Sequence, residues 1–247
     1  MSAPTFLIDP ERAGDAAIGA TFLLDGAEGR HAVAVQRIRP GERLDLVDGS
    51  GTRASAEVID TDKDSCTVRI DAVEHEPAPH PVITAVQAIA KGDRGELAVQ
   101  MLTETGIDVI VPWRAAHCVV KWDDDRAAKN HAKWQATARE SAKQSRRSRI
   151  PRVESLSSTA AVADLIANAD VAFVLDEQST IPLTSIDISA VGDITLVIGP
   201  EGGLSDIERE LFAESGGDLV TLGGNVLRTS TAGVAALSVI SAATGRW

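Results

Sequence analysis

LVIGPEGGLSDIE, residues 196–208, runs from an apolar strand through a glycine loop into a charged helix. A turn of that shape suggests a phosphate cradle, yet Glu201 stands in its middle. A P-loop needs Lys and Ser or Thr directly after its last glycine, and Gly203 is followed by Leu204. A dinucleotide fingerprint needs G-x-G-x-x-G near the first strand of its unit, and neither that spacing nor that position is met. Ser205 and Glu208 have the S-x-x-E spacing of a capping box, so the helix start already has its anion. What remains is a ligand that approaches the backbone closely and is neutral or cationic where it meets Glu201. The glycines then read as a wall cut back for that ligand, or as a strand-to-helix turn that merely needs positive φ.

Outward from this loop the pattern repeats. LGGNVLRTSTAG, residues 222–233, places Gly223 and Gly224 after a strand, then Arg228, then Thr229, Ser230 and Thr231 as candidate helix N-caps. Two Gly-rich loops at strand C-termini of one sheet mark where α/β proteins bind ligands. Three segments, DVAFVLDE, DITLVIGPEGG and DLVTLGG, read as buried strands, and so do VITAVQAIA and IDVIVPW. Helices lie between them: ELAVQMLTETG ending at Gly106, a long one from about Asp124 to Arg147, and a short one near AAVADLIANA. That alternation is α/β with a parallel sheet. The last helix, TAGVAALSVISAATG, is built from small residues and must pack very closely, against a crossing of its own chain or against a partner subunit. Trp113, Trp122 and Trp134 read as packing residues.

The first part of the chain has another texture. Up to about Glu74, short β-rich pieces punctuated by Gly, Asp and Pro, with one helical insert, predict a small β-barrel. The proline-rich HEPAPHP then reads as a linker, so the expected division is 1–74, 75–81 and 82–247. No run is apolar enough to span a bilayer and the N-terminus has no secretory pattern, which predicts a cytoplasmic protein. Cys66 and Cys118 are far apart without metal-ligand spacing, and no metal site is expected. The net charge of −12 argues against general affinity for nucleic acid. Yet RESAKQSRRSRIPR, residues 139–152, is strongly basic, either a specific RNA contact or a solvated helix end.

These fragments, taken in order, resemble a known family. IGPEGG with its following S-x-x-E, then LG-x-x-VLR-T-x-TA, resembles the motif pair of the SPOUT methyltransferases, and more closely the ribosomal RNA small subunit methyltransferase E family. His31, Val35 and Arg37 match its H-x-x-x-V-x-R; residues 91–94 (KGDR), 103–106 (TETG) and 140–151 match further motifs. The resemblance covers the whole chain. It implies an N-terminal PUA-like, RNA-binding β-barrel before an α/β domain with a deep trefoil knot. It also implies a homodimer, S-adenosylmethionine as methyl donor, and N3 of a uridine in 16S ribosomal RNA, in the small ribosomal subunit, as acceptor. The cofactor pocket is expected from Leu175, from Ile198, Gly199, Pro200, Glu201, Gly202 and Gly203, and from Leu222, Gly223, Asn225, Val226 and Leu227. Arg228 is the candidate catalytic residue, a guanidinium placed to stabilise the uridine anion. Lys91, Arg94, Gln144, Ser145, Arg146, Arg147 and Arg149 are the candidate RNA contacts. The family usually has glutamate where this chain has Ser230, which leaves the general base unassigned. A knotted methyltransferase for another RNA position, or a non-catalytic RNA-binding assembly factor, stays open on these residues.

Overall fold

The computed structural model describes residues 3–188 and 192–247. The chain divides into two compact units, Met1–Ala78 with Ala142–Ile150, and Pro79–Ser141 with Pro151–Trp247. In the first unit, β1 (Thr5–Leu7), β2 (Thr21–Leu24), β3 (Arg43–Val47), β4 (Thr52–Thr61) and β5 (Cys66–His75) form one sheet in the order β1-β3-β4-β5-β2. β1 and β3 are parallel and the other pairs antiparallel. Ala54, Ala56 and Val58 of β4 and Cys66, Val68 and Ile70 of β5 alternate inward, as the two-residue strand period requires. Register shifts between Ser55 and Ala56 and between Val58 and Asp60 bend this long pair. The bent sheet therefore wraps one core, to which Phe6, Phe22 and Leu44 contribute from the remaining strands. The short helix α1 (Gly26–Arg30) continues into a π-helical turn over His31–Val35, and Arg37 follows with φ of 56°.

The second unit is α/β. Its elements are β6 (Ile83–Ala88), α2 (Arg94–Glu104), β7 (Val109–Trp113), α3 (Asp124–Gln144), β8 (Arg152–Val153), α4 (Thr159–Asn168), β9 (Val171–Leu175), β10 (Ile194–Ile198), α5 (Asp206–Glu214), β11 (Asp218–Val220) and α6 (Thr229–Ala243). The six strands run parallel in the order β11-β9-β10-β6-β7-β8. β10 is buried along its whole length, which explains its uninterrupted apolar run. α6 packs onto β10 and α2, and its small residues allow the approach: a Cβ on Gly233 would lie 3.3 Å from side-chain carbons of both Ile198 and Leu102. Trp113, Trp122 and Trp134 are buried, the last two edge-to-face with centroids 5.2 Å apart.

Two expectations about helix ends need correction. The long helix stops at Gln144 rather than Arg147. Arg146 turns the chain with φ of 57°, while Arg147 N donates to Ala142 O and Arg146 N to Lys143 O. Those bonds make a Schellman stop with an arginine where glycine is usual. The basic strip is thus broken, and its members differ in environment. Lys143 is buried, its Nζ 2.9 Å from both carboxylate oxygens of Glu28. Arg149 donates to the backbone carbonyls of Glu76 and Pro77. The second correction concerns α6, whose N-cap is Arg228, not Thr229, Ser230 or Thr231. Thr229 is buried, and its hydroxyl serves a carbonyl and an amide from elsewhere in the fold.

Removing one side of a buried ion pair is strongly destabilising. Lys143→Ala should therefore lower the unfolding free energy by about 3–5 kcal/mol, and a second change, Glu28→Leu, should restore much of it, as read by urea denaturation. Burial pushes the Cys118 thiol up from 9.0 to about 11. The unfolded chain ionises at the lower value, so this contribution is fully present below pH 9 and is lost as pH rises through about 11. Urea curves at about pH 8 and about pH 10.5 should show that loss in the parent protein and a smaller one in Cys118→Ala.

Candidate active site

A cavity of about 560 Å³ opens at the C-terminal ends of β9, β10 and β11, three neighbours in the parallel sheet. This is the end at which open α/β sheets hold ligands. Its walls are three loops: 175–179 after β9, 198–204 around the end of β10, and 220–229 between β11 and α6. Leu175, Ile198, Gly199, Pro200, Glu201, Gly202, Gly203, Leu222, Gly223, Asn225, Val226, Leu227 and Arg228 all line it. Arg94, at the first position of α2, lines it too, although the sequence suggested only an RNA contact for it. Lys91 meets the site through its backbone, its N–H donating to Glu201 Oε1 at 3.2 Å. Gln144, Ser145, Arg146, Arg147 and Arg149 belong to the first unit and take no part in this cavity.

The loop after β10 is held from outside the cavity. Ser205 and Glu208 form the capping box that their spacing predicted. Glu208 does more than cap, being 2% exposed. Its Oε1 accepts from Ala116 N at 2.7 Å and Thr159 Oγ1 at 3.2 Å, and its Oε2 from Ser205 N and Oγ at 2.9 Å. One buried carboxylate thus joins this loop to the segment after β7 and to the start of α4. His117, on that segment, has Nδ1 3.2 Å and 3.1 Å from the carbonyl oxygens of Gly202 and Gly203.

These contacts revise the meaning of the glycines. A Cβ on Gly202 would lie 3.0 Å from His117 Cβ, so its missing side chain clears space for histidine rather than for a ligand. Gly203 has φ of 71°, the left-handed conformation that glycine supplies. Gly224 has nothing within 4 Å of its would-be Cβ, and the exposed backbone around it faces open space.

Charge in the cavity is mixed. Asp176, Glu177 and Glu201 face Arg94 and Arg228 around the same walls. Asp176 is buried and anchored, its Oδ2 accepting from Arg209 Nε at 2.9 Å. Arg228 is exposed and has no ion-pair partner among the described residues, so its guanidinium is available to a substrate. Apolar Ile198, Leu222 and Leu227 complete the lining. Such a site suits a ligand with a flat neutral part and a charged, zwitterionic tail, and it lacks the concentrated positive charge that a polyphosphate requires. Asp176 and Glu177 were legible only as neighbours of Leu175 at a strand end. Thr229 carried no signal beyond its place before a helix. Among the described residues no group of three His, Cys, Asp or Glu could hold a metal, and no helix is long and apolar enough to cross a membrane.

Comparison with known proteins agrees with this geometry. A model of an RNA methyltransferase domain matches residues 76–241, and a model of an RNA methyltransferase PUA domain matches residues 24–71. Ribosomal RNA small subunit methyltransferase E of Mycobacterium bovis is 40% identical over 233 residues, 93% of this chain and 89% of that protein. Its counterpart from Bacillus subtilis is 35% identical over 230 residues, 90% of each. The crystal structure of ribosomal RNA small subunit methyltransferase E from Neisseria gonorrhoeae bound to S-adenosyl methionine matches with a TM-score of 0.85 at 29% identity, covering 98% of each chain. Matched in order along nearly its whole length, with a PUA-like unit ahead of an α/β trefoil-knot unit, the chain belongs to the ribosomal RNA small subunit methyltransferase E family.

Proposed function

We propose that this protein transfers a methyl group from S-adenosylmethionine to N3 of a uridine in 16S ribosomal RNA, as a cytoplasmic homodimer. The observation that carries the reading is the cavity in which three strand-end loops, the carboxylates of Asp176, Glu177 and Glu201 and the guanidinium of Arg228 meet. The cavity fits the cofactor's parts. Backbone of the 198–203 and 222–227 loops, with Leu175, would border the adenosine. Glu201, held by Lys91 N, tolerates positive charge beside it. The mixed charges of Arg94, Glu177 and Glu201 suit an amino-acid tail.

S-adenosylmethionine, when bound, supplies an electrophilic methyl group on a cationic sulfur. The protein's part is then positioning and electrostatics. Uridine N3 becomes nucleophilic once its proton leaves, and the resulting negative charge spreads over O2 and O4. Arg228, at the mouth of α6, would stabilise that charge. Asp176, Glu177 and Glu201 line the same cavity, and the proton goes to a carboxylate or to solvent. The PUA-like unit supplies RNA contacts, with Arg146 and Arg147 meeting phosphate; Arg149 contributes chiefly by fastening its own loop to residues 76 and 77. Support for a homodimer comes from the resemblance and from Val226 and Ile207, apolar residues 78% and 76% exposed in this chain.

S-adenosylmethionine at about 100 times its dissociation constant should stabilise the protein by about 2.7 kcal/mol, seen as a rise in Tm. The absence of any shift would favour the binding-protein alternative. Arg228→Ala should keep cofactor affinity within about threefold while losing about 10²–10³ in kcat, read by nucleoside mass spectrometry of small-subunit RNA. Full methylation by that variant would sink the assignment. Light scattering of the purified protein tests the dimer.

A further inference from the structure

The first unit contains a second cavity, of about 710 Å³, which the methyl-transfer chemistry does not use. Its wall takes Thr5 from β1, His31 and Gln36 from the π-helical turn and its end, Arg43 from β3, and Gln144 and Arg146 from the stop after α3. Three properties set it apart. It gathers cationic and amide side chains, with Glu42 as its one acid, on a chain whose net charge is −12. Thr5 is 8% exposed, and its hydroxyl is the only buried side-chain polar atom without a hydrogen-bond partner among the described residues of this unit. Arg37 and Arg146 are the only non-glycine residues with positive φ among those described, and one lines the cavity while the other stands between two residues that do. A π-helical turn beside left-handed arginines concentrates unfavourable backbone geometry at one place, and such geometry clusters at ligand sites.

We infer that this cavity binds an unpaired nucleotide of the substrate RNA, distinct from the one that is methylated. The inference rests on the RNA-methyltransferase reading for the identity of the polymer. Its volume lies in the range of small-molecule pockets. Protein sites read splayed-out nucleotides by hydrogen bonds to base edges and by stacking on rings or guanidinium planes. Gln36 and Gln144 each present an amide donor and acceptor for a base edge. The Gln36 amide nitrogen lies 3.4 Å from His31 Nε2, which orients both groups. The His31 ring, already edge-on to Phe6 at 6.1 Å, and the Arg146 guanidinium are the surfaces on which a base stacks. Arg43 lines the same wall with its guanidinium ion-paired to Asp71 at 2.5 Å. The Thr5 hydroxyl gains a partner when the site fills. Buried Lys143, paired with Glu28, fixes the last turn of α3 from which Gln144 and Arg146 project.

The test is fluorescence anisotropy of the full-length protein with a 5′-fluorescein single-stranded RNA of about ten nucleotides and mixed sequence. Gln36→Ala, Gln144→Ala and Thr5→Val should each weaken binding about tenfold, the value of one or two lost hydrogen bonds. The Tm rise caused by S-adenosylmethionine should stay unchanged in all three. Thr5→Val should keep or raise the Tm of the free protein, because it deletes a hydroxyl that has no partner. A duplex of the same sequence should compete at least tenfold less well than the single strand. Photo-crosslinking of the same RNA carrying 4-thiouridine should mark the peptide containing residues 31–36 or that containing residues 144–146. Parent-like affinity in all three variants, equal competition by duplex, no binding of the probe by the parent protein, or crosslinks confined to other peptides would each overturn the inference. A parent protein that binds the probe through these residues yet neither binds S-adenosylmethionine nor methylates RNA would instead overturn the methyltransferase reading.

Discussion

The buried hydroxyl of Thr229 ties together three segments of the second unit that are far apart in sequence. It donates to the Gly199 carbonyl at 2.8 Å and accepts from the Gln87 amide at 2.9 Å. Those three residues come from the start of α6, the loop after β10 and the strand β6, so one buried group joins segments far apart in sequence. In a buried setting a hydroxyl that serves both a donor and an acceptor leaves neither orphaned, and the cost of breaking either bond is high. Because Arg228 directly precedes Thr229, the same pin sets where the proposed catalytic guanidinium leaves the fold.

Close packing makes this pin possible. α6 can lie against Ile198 and Leu102 because Gly233 has no side chain and Ala236 is fully buried. The helix end is secured as firmly as its start: Arg246 donates to both carboxylate oxygens of Asp108, at 2.7 and 3.1 Å, and to the Gly106 carbonyl. The neighbouring loop is braced by Glu208 in the same fashion, through bonds to three segments. Loops at the cavity are therefore irregular in path but heavily tied from behind, the arrangement that preorganises a site without side-chain bulk inside it.

Much of this was legible in the linear pattern. Continuous apolar runs at 83–88, 109–113, 171–175 and 194–198 announced buried parallel strands, and Ser205 with Glu208 announced a capped helix. Placement of glycines at two strand ends pointed to the cavity. Other parts were not legible, because the partner is distant in sequence. Gly202 looked like room for a ligand, but its neighbour is His117, 85 positions earlier. Arg94 was read as an RNA contact, and its place on the cavity wall, at the start of α2, was not legible. The RESAKQSRRSRIPR strip looked uniform, while burial of Lys143 and the left-handed turn at Arg146 split it into structural and exposed members.

Local chemistry determined what depends on neighbours a few residues away: periodicity for strands and helices, capping, the left-handed turns at Gly106 and Gly203, and the motif order that marks the family. Tertiary structure alone decided which groups face one another. It put Thr229 between Gln87 and Gly199, gathered three loops and two arginines around one cavity, and returned residues 142–150 to the first unit, where they wall a second cavity. The reason is physical. A hydrogen bond or a buried charge is satisfied by whatever group the folded chain brings within about 3 Å, and chain order places no limit on where that group originates.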